Sequence, residues 1–240
     1  MLAVLTILAV AVTDLLRLVH PHLSFRVAQF IQIGWWVVLA VAAAIWVRPE
    51  GWAGGVAAVV AASWYYGSER MDGSKQQQRP PSATFAWSGV GLIAVVAGLA
   101  WLDVVVLKTS PPHGLMWIAL ALFLTQTGNQ VTRAVLLLSG RDAEGHGASG
   151  AVPNSRLKGG RVIGPLERIF IMVLTVVGAY HVVAALMAAK GIVRFPEISA
   201  DAKRDPAEST AGTKAEEFLV GSLASWGLAG GAGLLAAMFS

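Results

Sequence analysis

From Val27 to Val47 the chain runs without one charged side chain, and from Phe218 to Phe239 it does so again. About 20 apolar residues in α-helix cover the ~30 Å hydrocarbon core of a bilayer, so each run is long enough to cross. Soluble domains bury short apolar segments and have no use for several of this length. Lipid offers no partner to an open backbone, which restricts spanning structures to helices and closed barrels. These runs are continuously apolar rather than alternating, so they read as helices. Composition agrees: 55% of the 240 residues are hydrophobic and only 13% are charged, where soluble proteins carry about a quarter. The expected fold class is all-α, a polytopic integral membrane bundle of six or seven transmembrane helices.

Met1 to Leu16 is the first run, interrupted by Thr6, Thr13 and Asp14. No Lys or Arg precedes it, as a secretory signal would require. Arg17 and Arg26 follow it, which favours the amino terminus outside and the first loop inside. Val27–Val47 is the second run. Trp52–Tyr66 is the third, short for a crossing and ending in an aromatic cluster, so a shallow or re-entrant segment competes with a span. Phe85–Leu107 and His113–Val131 are the fourth and fifth, Pro165 to about Lys190 the sixth and Phe218–Phe239 the seventh. The chain thus divides into an amino-terminal membrane region of about five spans (1–138), a polar glycine-rich loop (139–163) and a two-span carboxy-terminal region (164–240). Basic residues lie on both sets of loops, so the charge rule leaves the sidedness open.

The chain has no cysteine, which excludes disulfides, thiolate metal sites and thiol nucleophiles. That absence fits a multi-pass protein of the bacterial inner membrane. The formal charge of +4 is a topology signal; no basic run is interleaved with aromatics as nucleic-acid binding would need. The five histidines form no converging set, and His20 and His22 lack the spacing of a helical metal pair. Neither metal nor cofactor is expected. Ser222 and Ser225 have no legible His and Asp partners, and no phosphate-binding glycine motif occurs.

The remaining polar residues carry the functional reading. Pro165 suits the first turn of a helix, Glu167 then lies at its positive end, and Lys190 with Gly191 closes it. A continuous helix would separate Glu167 from Lys190 by roughly 34 Å, so Glu167 is expected to stand apart from Lys190, Arg194, Glu197, Glu216 and Glu217. Those charges lie on the connection between the sixth and seventh spans, and Arg194 is expected to pair with Glu216 or Glu217 at one interface. Gln126, Asn129, Gln130 and Arg133 follow i, i+3, i+4, i+7 and mark one polar helix face, either glue between helices or the wall of a pore or cleft. Asp14 is placed to pair with Arg17 on the same helix, and Asp103 lies near Lys108. Both read as interfacial charges or as parts of a proton or ion pathway. On the last span Gly221, Ser225, Ala229 and Gly233 recur every four residues, with Gly227 and Gly231 one face over. Small residues at that spacing let helix backbones approach closely. The carboxy-terminal span is therefore expected at or beside a homo-oligomer contact.

The succession I-G-P-L-E-R, A-A-K-G-I-V-R-F-P-E and A-E-E-F-L-V-G-S-L-A-S resembles the carboxy-terminal membrane region of the bacterial family catalogued as domain of unknown function 3307. The matching positions are Gly160, Arg161, Gly164, Glu167, Arg168, Lys190, Arg194, Phe195, Glu197, Glu216, Gly221, Ser222 and Ser225. Pro165 and Gly191 depart from the pattern, and the first two-thirds of the chain has no counterpart in it. The resemblance implies an integral membrane protein and no known reaction. On the residues themselves, a channel, transporter or transport-accessory subunit ranks first. A structural or regulatory membrane subunit that recruits a membrane or cytoplasmic partner ranks second. A lipid-acting enzyme ranks last, for want of a nucleophile, metal set or acid/base pair.

Overall fold

The computed structural model describes residues 1–19, 25–46, 51–68, 83–139, 160–204 and 210–239. Among these the chain is helical throughout, with no strand. The helices are α1 (Leu2–Val19), α2 (Phe25–Trp46), α3 (Ala53–Ser68), α4 (Ala83–Leu102), α5 (His113–Leu122), α6 (Gly128–Leu138), α7 (Gly160–Val176), α8 (Tyr180–Arg204) and α9 (Thr210–Met238). Two π-helical turns are built into them: Asp103–Leu107 extends α4, and Phe123–Thr127 joins α5 to α6.

Three segments are long and apolar enough to cross a membrane: Arg26–Ile45, Phe85–Leu107 and Ala215–Met238. Their outward faces are apolar, with Phe30, Val38 and Ile45 exposed on α2 and Trp101, Val105 and Val106 on the α4 segment. Exposed apolar surface on this scale marks contact with lipid or another protein.

The core is organised on α1. Leu2, Ala3, Val4, Ile7, Ala9, Val10 and Ala11 are essentially inaccessible, because α3, α5, α4 and α2 all pack around this helix. Small residues let the ring close. A Cβ on Gly54 would stand 2.6 Å from the Ala43 side chain, and one on Gly89 would stand 2.5 Å from that of Ala134. The α2–α3 and α4–α6 crossings therefore depend on glycine. The short third run is a full member of this ring: Ala53, Ala57, Ala61, Trp64 and Tyr65 of α3 are buried.

The first residues of α1 and the last of α9 lie at the same end of the bundle. The Leu2 and Ala3 amides bond to Asp103, while Met238 and Phe239 line an open pocket of about 300 Å³ with Val104, Lys108, Thr109 and Ser110.

The expected sixth span differs most. Pro165–Lys190 is not one helix but parts of two, because the chain turns at Val177–Ala179, where Gly178 takes φ +72°. A left-handed residue of this kind ends a helix at little cost only when it is glycine. The α7 helix starts at Gly160, so Pro165 lies inside it rather than at its first position. There the missing N–H removes one early backbone bond. Likewise Gly191 does not stop α8, which runs on through Pro196 to Arg204.

Candidate functional site

Asp14 has no exposed surface. Its carboxylate accepts hydrogen bonds from Trp64 Nε1 (3.1 Å to each oxygen) and Thr127 Oγ1 (2.6 Å). The Arg17 guanidinium lies 3.8 Å away, one turn along α1. Arg17 in turn donates to Ser68 Oγ and the Tyr65 carbonyl, each at 2.5 Å, and sits 4.0 Å from the centre of the Tyr65 ring. The local pair expected from the i, i+3 spacing is present, and two further helical segments, α3 and the π turn, join it. One turn over, Gln32 Nε2 donates to the Thr13 carbonyl (2.9 Å) and Trp36 Nε1 to Thr13 Oγ1 (3.0 Å).

Arg168 is the largest fully buried side chain, 2% exposed. Its Nε donates to Ser225 Oγ (2.7 Å), and its Nη1 to the Leu124 carbonyl (3.0 Å) and more weakly to that of Thr125 (3.4 Å). The π geometry makes this possible. A π turn bonds i to i+5 rather than i+4, which frees carbonyls that a guanidinium can satisfy. Gly128 clears the path, since a Cβ there would lie 3.1 Å from Arg168 Nη1.

The neighbouring Glu167 faces α8 and α9. Its Oε2 accepts from Lys190 Nζ at 2.5 Å and its Oε1 from Trp226 Nε1 at 2.9 Å, while Lys190 Nζ lies 5.5 Å from the Trp226 ring centre. The expected separation of roughly 34 Å assumed a continuous helix, and the turn at Gly178 overturns it by folding α8 back along α7. Among the described residues, then, one π turn links two sets of charges: Thr127 reaches Asp14, and the Leu124 and Thr125 carbonyls hold Arg168. Ser225 and Trp226 lie roughly 15 Å along α9 from Ala215 by helical rise.

The other sequence candidates fall out unevenly. Gln126 belongs to the π turn, so the stripe Gln126, Asn129, Gln130, Arg133 does not lie on one regular α-helical face; the first three are half-buried and Arg133 is exposed. The side chains of Arg194 and Glu197 lie outside the described residues, and with them the expected Arg194 pairing. Glu216 is exposed and Glu217 half-buried at the start of the apolar part of α9. Asp103 turns to α1 rather than to Lys108: its two oxygens accept the Leu2 and Ala3 N–H groups at 3.0 and 2.9 Å, and the Met1 ammonium lies 2.8 Å away. A carboxylate at the positive end of a helix is favoured by the helix dipole. Thr127, Trp64 and Ser68 were missed as partners because nothing in their spacing marks them.

The small-residue stripe divides cleanly. Gly221 packs on Leu136, Ser225 bonds Arg168, Ala229 is fully buried, and a Cβ on Gly233 would stand 2.6 Å from Thr175 Cβ and 2.9 Å from the Met172 carbonyl oxygen. These four serve packing within the chain. Gly227 and Gly231 face outward with nothing within 4 Å. No group of three or more His, Asp and Glu side chains that could hold a metal occurs among the described residues. No family model, curated protein or solved structure matches the chain.

Proposed function

We propose that this chain is a membrane transport protein: a channel, a transporter or a transport-accessory subunit. The observation that carries the reading is the set of ionisable groups on the two sides of one π turn, with Arg17, Asp14 and Arg168 enclosed and Glu167 and Lys190 partly exposed. Ionisable groups among apolar helices are costly and mark pathways for ions, protons or polar substrates. Interrupted helices beside them supply free backbone groups for the same purpose.

In this reading the protein is polytopic in the bacterial inner membrane. Six crossings are made by α1, α2, α3, α4, the joined α5–α6 and α9, with α7 and α8 as a hairpin against α9. The outward Gly227 and Gly231 are then available for contact with a second copy. The runner-up is a structural or regulatory subunit that holds a partner. It is favoured by how fully Asp14 and Arg168 are engaged by their neighbours.

Reconstitution into liposomes separates the two. Flux of protons or small ions, read with entrapped pH-sensitive and ion-sensitive dyes, should exceed that of empty vesicles and fall at least tenfold in Arg168→Gln. Vesicles that stay tight with the folded wild-type protein would favour the structural reading.

A further inference from the structure

We infer that the open pocket at the shared end of α4 and α9 holds the headgroup of an acidic phospholipid. Lys108 and Ser110 donate to its phosphate, and Val104 and Met238 lie along the top of an acyl chain. The inference rests on the membrane reading and is independent of the transport one.

The lining of this pocket divides by chemistry. Lys108, Thr109 and Ser110 bring an ammonium and two hydroxyls, while Val104, Met238 and Phe239 are apolar. Two of the segments long and apolar enough to cross a membrane, Phe85–Leu107 and Ala215–Met238, end together at this point. The pocket therefore lies where hydrocarbon gives way to headgroups. Trp101, 59% exposed, stands about two turns earlier on the same segment, and tryptophan is enriched at that boundary. The charges leave one cation over. Asp103 is fully engaged by the Met1 ammonium, the Leu2 and Ala3 amides and the Thr109 hydroxyl. Met1 and Asp103 cancel, and among the described residues no carboxylate pairs with Lys108. Thr109 Oγ1 is taken up by Met1 and Asp103, so the donors left for a ligand are Lys108 Nζ and Ser110 Oγ. A phosphodiester accepts charge-assisted bonds from such a pair, and an acidic headgroup supplies the missing negative charge.

The polar wall is fixed before a lipid arrives. Lys108 takes φ 51°, the one non-glycine residue in the left-handed region among the described residues. That conformation is strained for a side chain and free for glycine. The N–H groups of Lys108 and Thr109 both bond to the Asp103 carbonyl, which closes the π turn over the end of the span. Pro111 and Pro112 follow with their φ angles locked, and the residue before a proline is confined to extended backbone, here Ser110. Strain of this kind persists at ligand sites. A lysine kept where glycine would be easier is accounted for by its ammonium.

The test titrates the detergent-purified full chain with dioleoylphosphatidylglycerol and, separately, with dioleoylphosphatidylcholine, and reads bound lipid by native mass spectrometry. Both lipids carry a phosphate and the same acyl chains, but only the first is a net anion. The wild type should hold one phosphatidylglycerol about fivefold more tightly than phosphatidylcholine, the change that one lysine beside an acidic headgroup brings. Lys108→Gly should abolish the preference while the unfolding temperature stays or rises, because glycine relieves the left-handed position. Lys108→Arg should keep the preference. So should Arg26→Gln, which removes an exposed cation at the start of another apolar segment. Equal retention of the two lipids overturns the site, as does a preference that survives Lys108→Gly or is lost equally in Arg26→Gln. Glycerol phosphate tests the other source of the same chemistry and should bind at least roughly tenfold more weakly, since it buries no acyl chain. If it binds as tightly as the lipid, the pocket takes a soluble anion and the lipid assignment falls.

Discussion

Around α1, Asp14 has no exposed surface and is held by side chains from α1, α3 and the π turn. In the α7–α8 hairpin against α9 the corresponding pair, Glu167 and Lys190, keeps 15% and 36% of its side-chain surface exposed, on a helix that packs on α7 and α9. The same kinds of groups thus serve two purposes. Enclosed and surrounded by donors, a carboxylate fixes the relative positions of several helices. Left at a seam, it fastens one helix in a way that can be undone. Low local dielectric strengthens the first arrangement and raises the cost of breaking it. Fewer donors surround the second, which makes it the easier of the two to part.

The largest expected effect comes from emptying the enclosed site. Asp14→Ala leaves the Arg17 charge, the Trp64 N–H and the Thr127 hydroxyl without their acceptor, at a cost of about 3–5 kcal/mol. In detergent this should read as loss of the folded monodisperse species or a large fall in unfolding temperature. A variant that purifies with wild-type stability would erase the contrast between the two regions.

Next is Arg168→Lys, which keeps the charge but cannot reach both Ser225 and the π-turn carbonyls. Losing charged hydrogen bonds of this kind costs about 1.5–3 kcal/mol, measurable as a shifted denaturation midpoint. An unchanged midpoint would mean the fork geometry of the guanidinium is dispensable.

Glycine scanning of α9 sharpens the comparison within one helix. Gly233→Ala forces its methyl against Thr175 and a backbone oxygen, with overpacking costs of about 1–3 kcal/mol. Gly227→Ala and Gly231→Ala meet nothing within the chain and should leave stability unchanged. If Gly227→Leu and Gly231→Leu together shift the sizing profile to smaller particles, the outer face holds a second copy.

The smallest effect belongs to Lys190→Met. A partly exposed pair contributes roughly 0.2–1 kcal/mol, so global unfolding should hardly move. Amide exchange in α8 should accelerate while that in α1 stays slow. Equal acceleration in both would show that the hairpin is not an independent unit.

Much of this architecture was legible in the residues. Seven apolar runs were expected as spans and three helices are long and apolar enough to cross, while the four-residue spacing of Gly221, Ser225, Ala229 and Gly233 marked a close-packing face of α9 that α6 and α7 cover, rather than the contact with a second copy expected of it. What could not be read was where a long apolar run stops being one helix. The segment V-G-A-Y at 177–180 contains a single glycine and no proline, and glycine inside a helix costs only about 1 kcal/mol, so nothing local forced a break. That one turn decides whether Glu167 meets Lys190. The π turn at Phe123–Thr127 was equally silent, because its residues are ordinary for a helix and its widened geometry is tied to a guanidinium on another helix. Reading Gln126 to Arg133 as one regular face failed for that reason. Asp14 was recognised as a partner of Arg17, but Trp64 and Thr127 lie far away in sequence and carry no periodic mark.

The widened turn also fixes a phase. A π turn holds one residue more than the α turn it replaces. Winding Phe123–Thr127 back into ordinary α geometry would rotate everything beyond it by about 100° and advance it by ~1.5 Å. Thr127 would swing off Asp14 in the same movement that closed the carbonyls now open to Arg168. The two sites therefore share a single key, cut by one surplus residue. Deleting one position of the turn removes the surplus residue, so the helix beyond it keeps its phase while the carbonyls that hold Arg168 are drawn back into the α ladder.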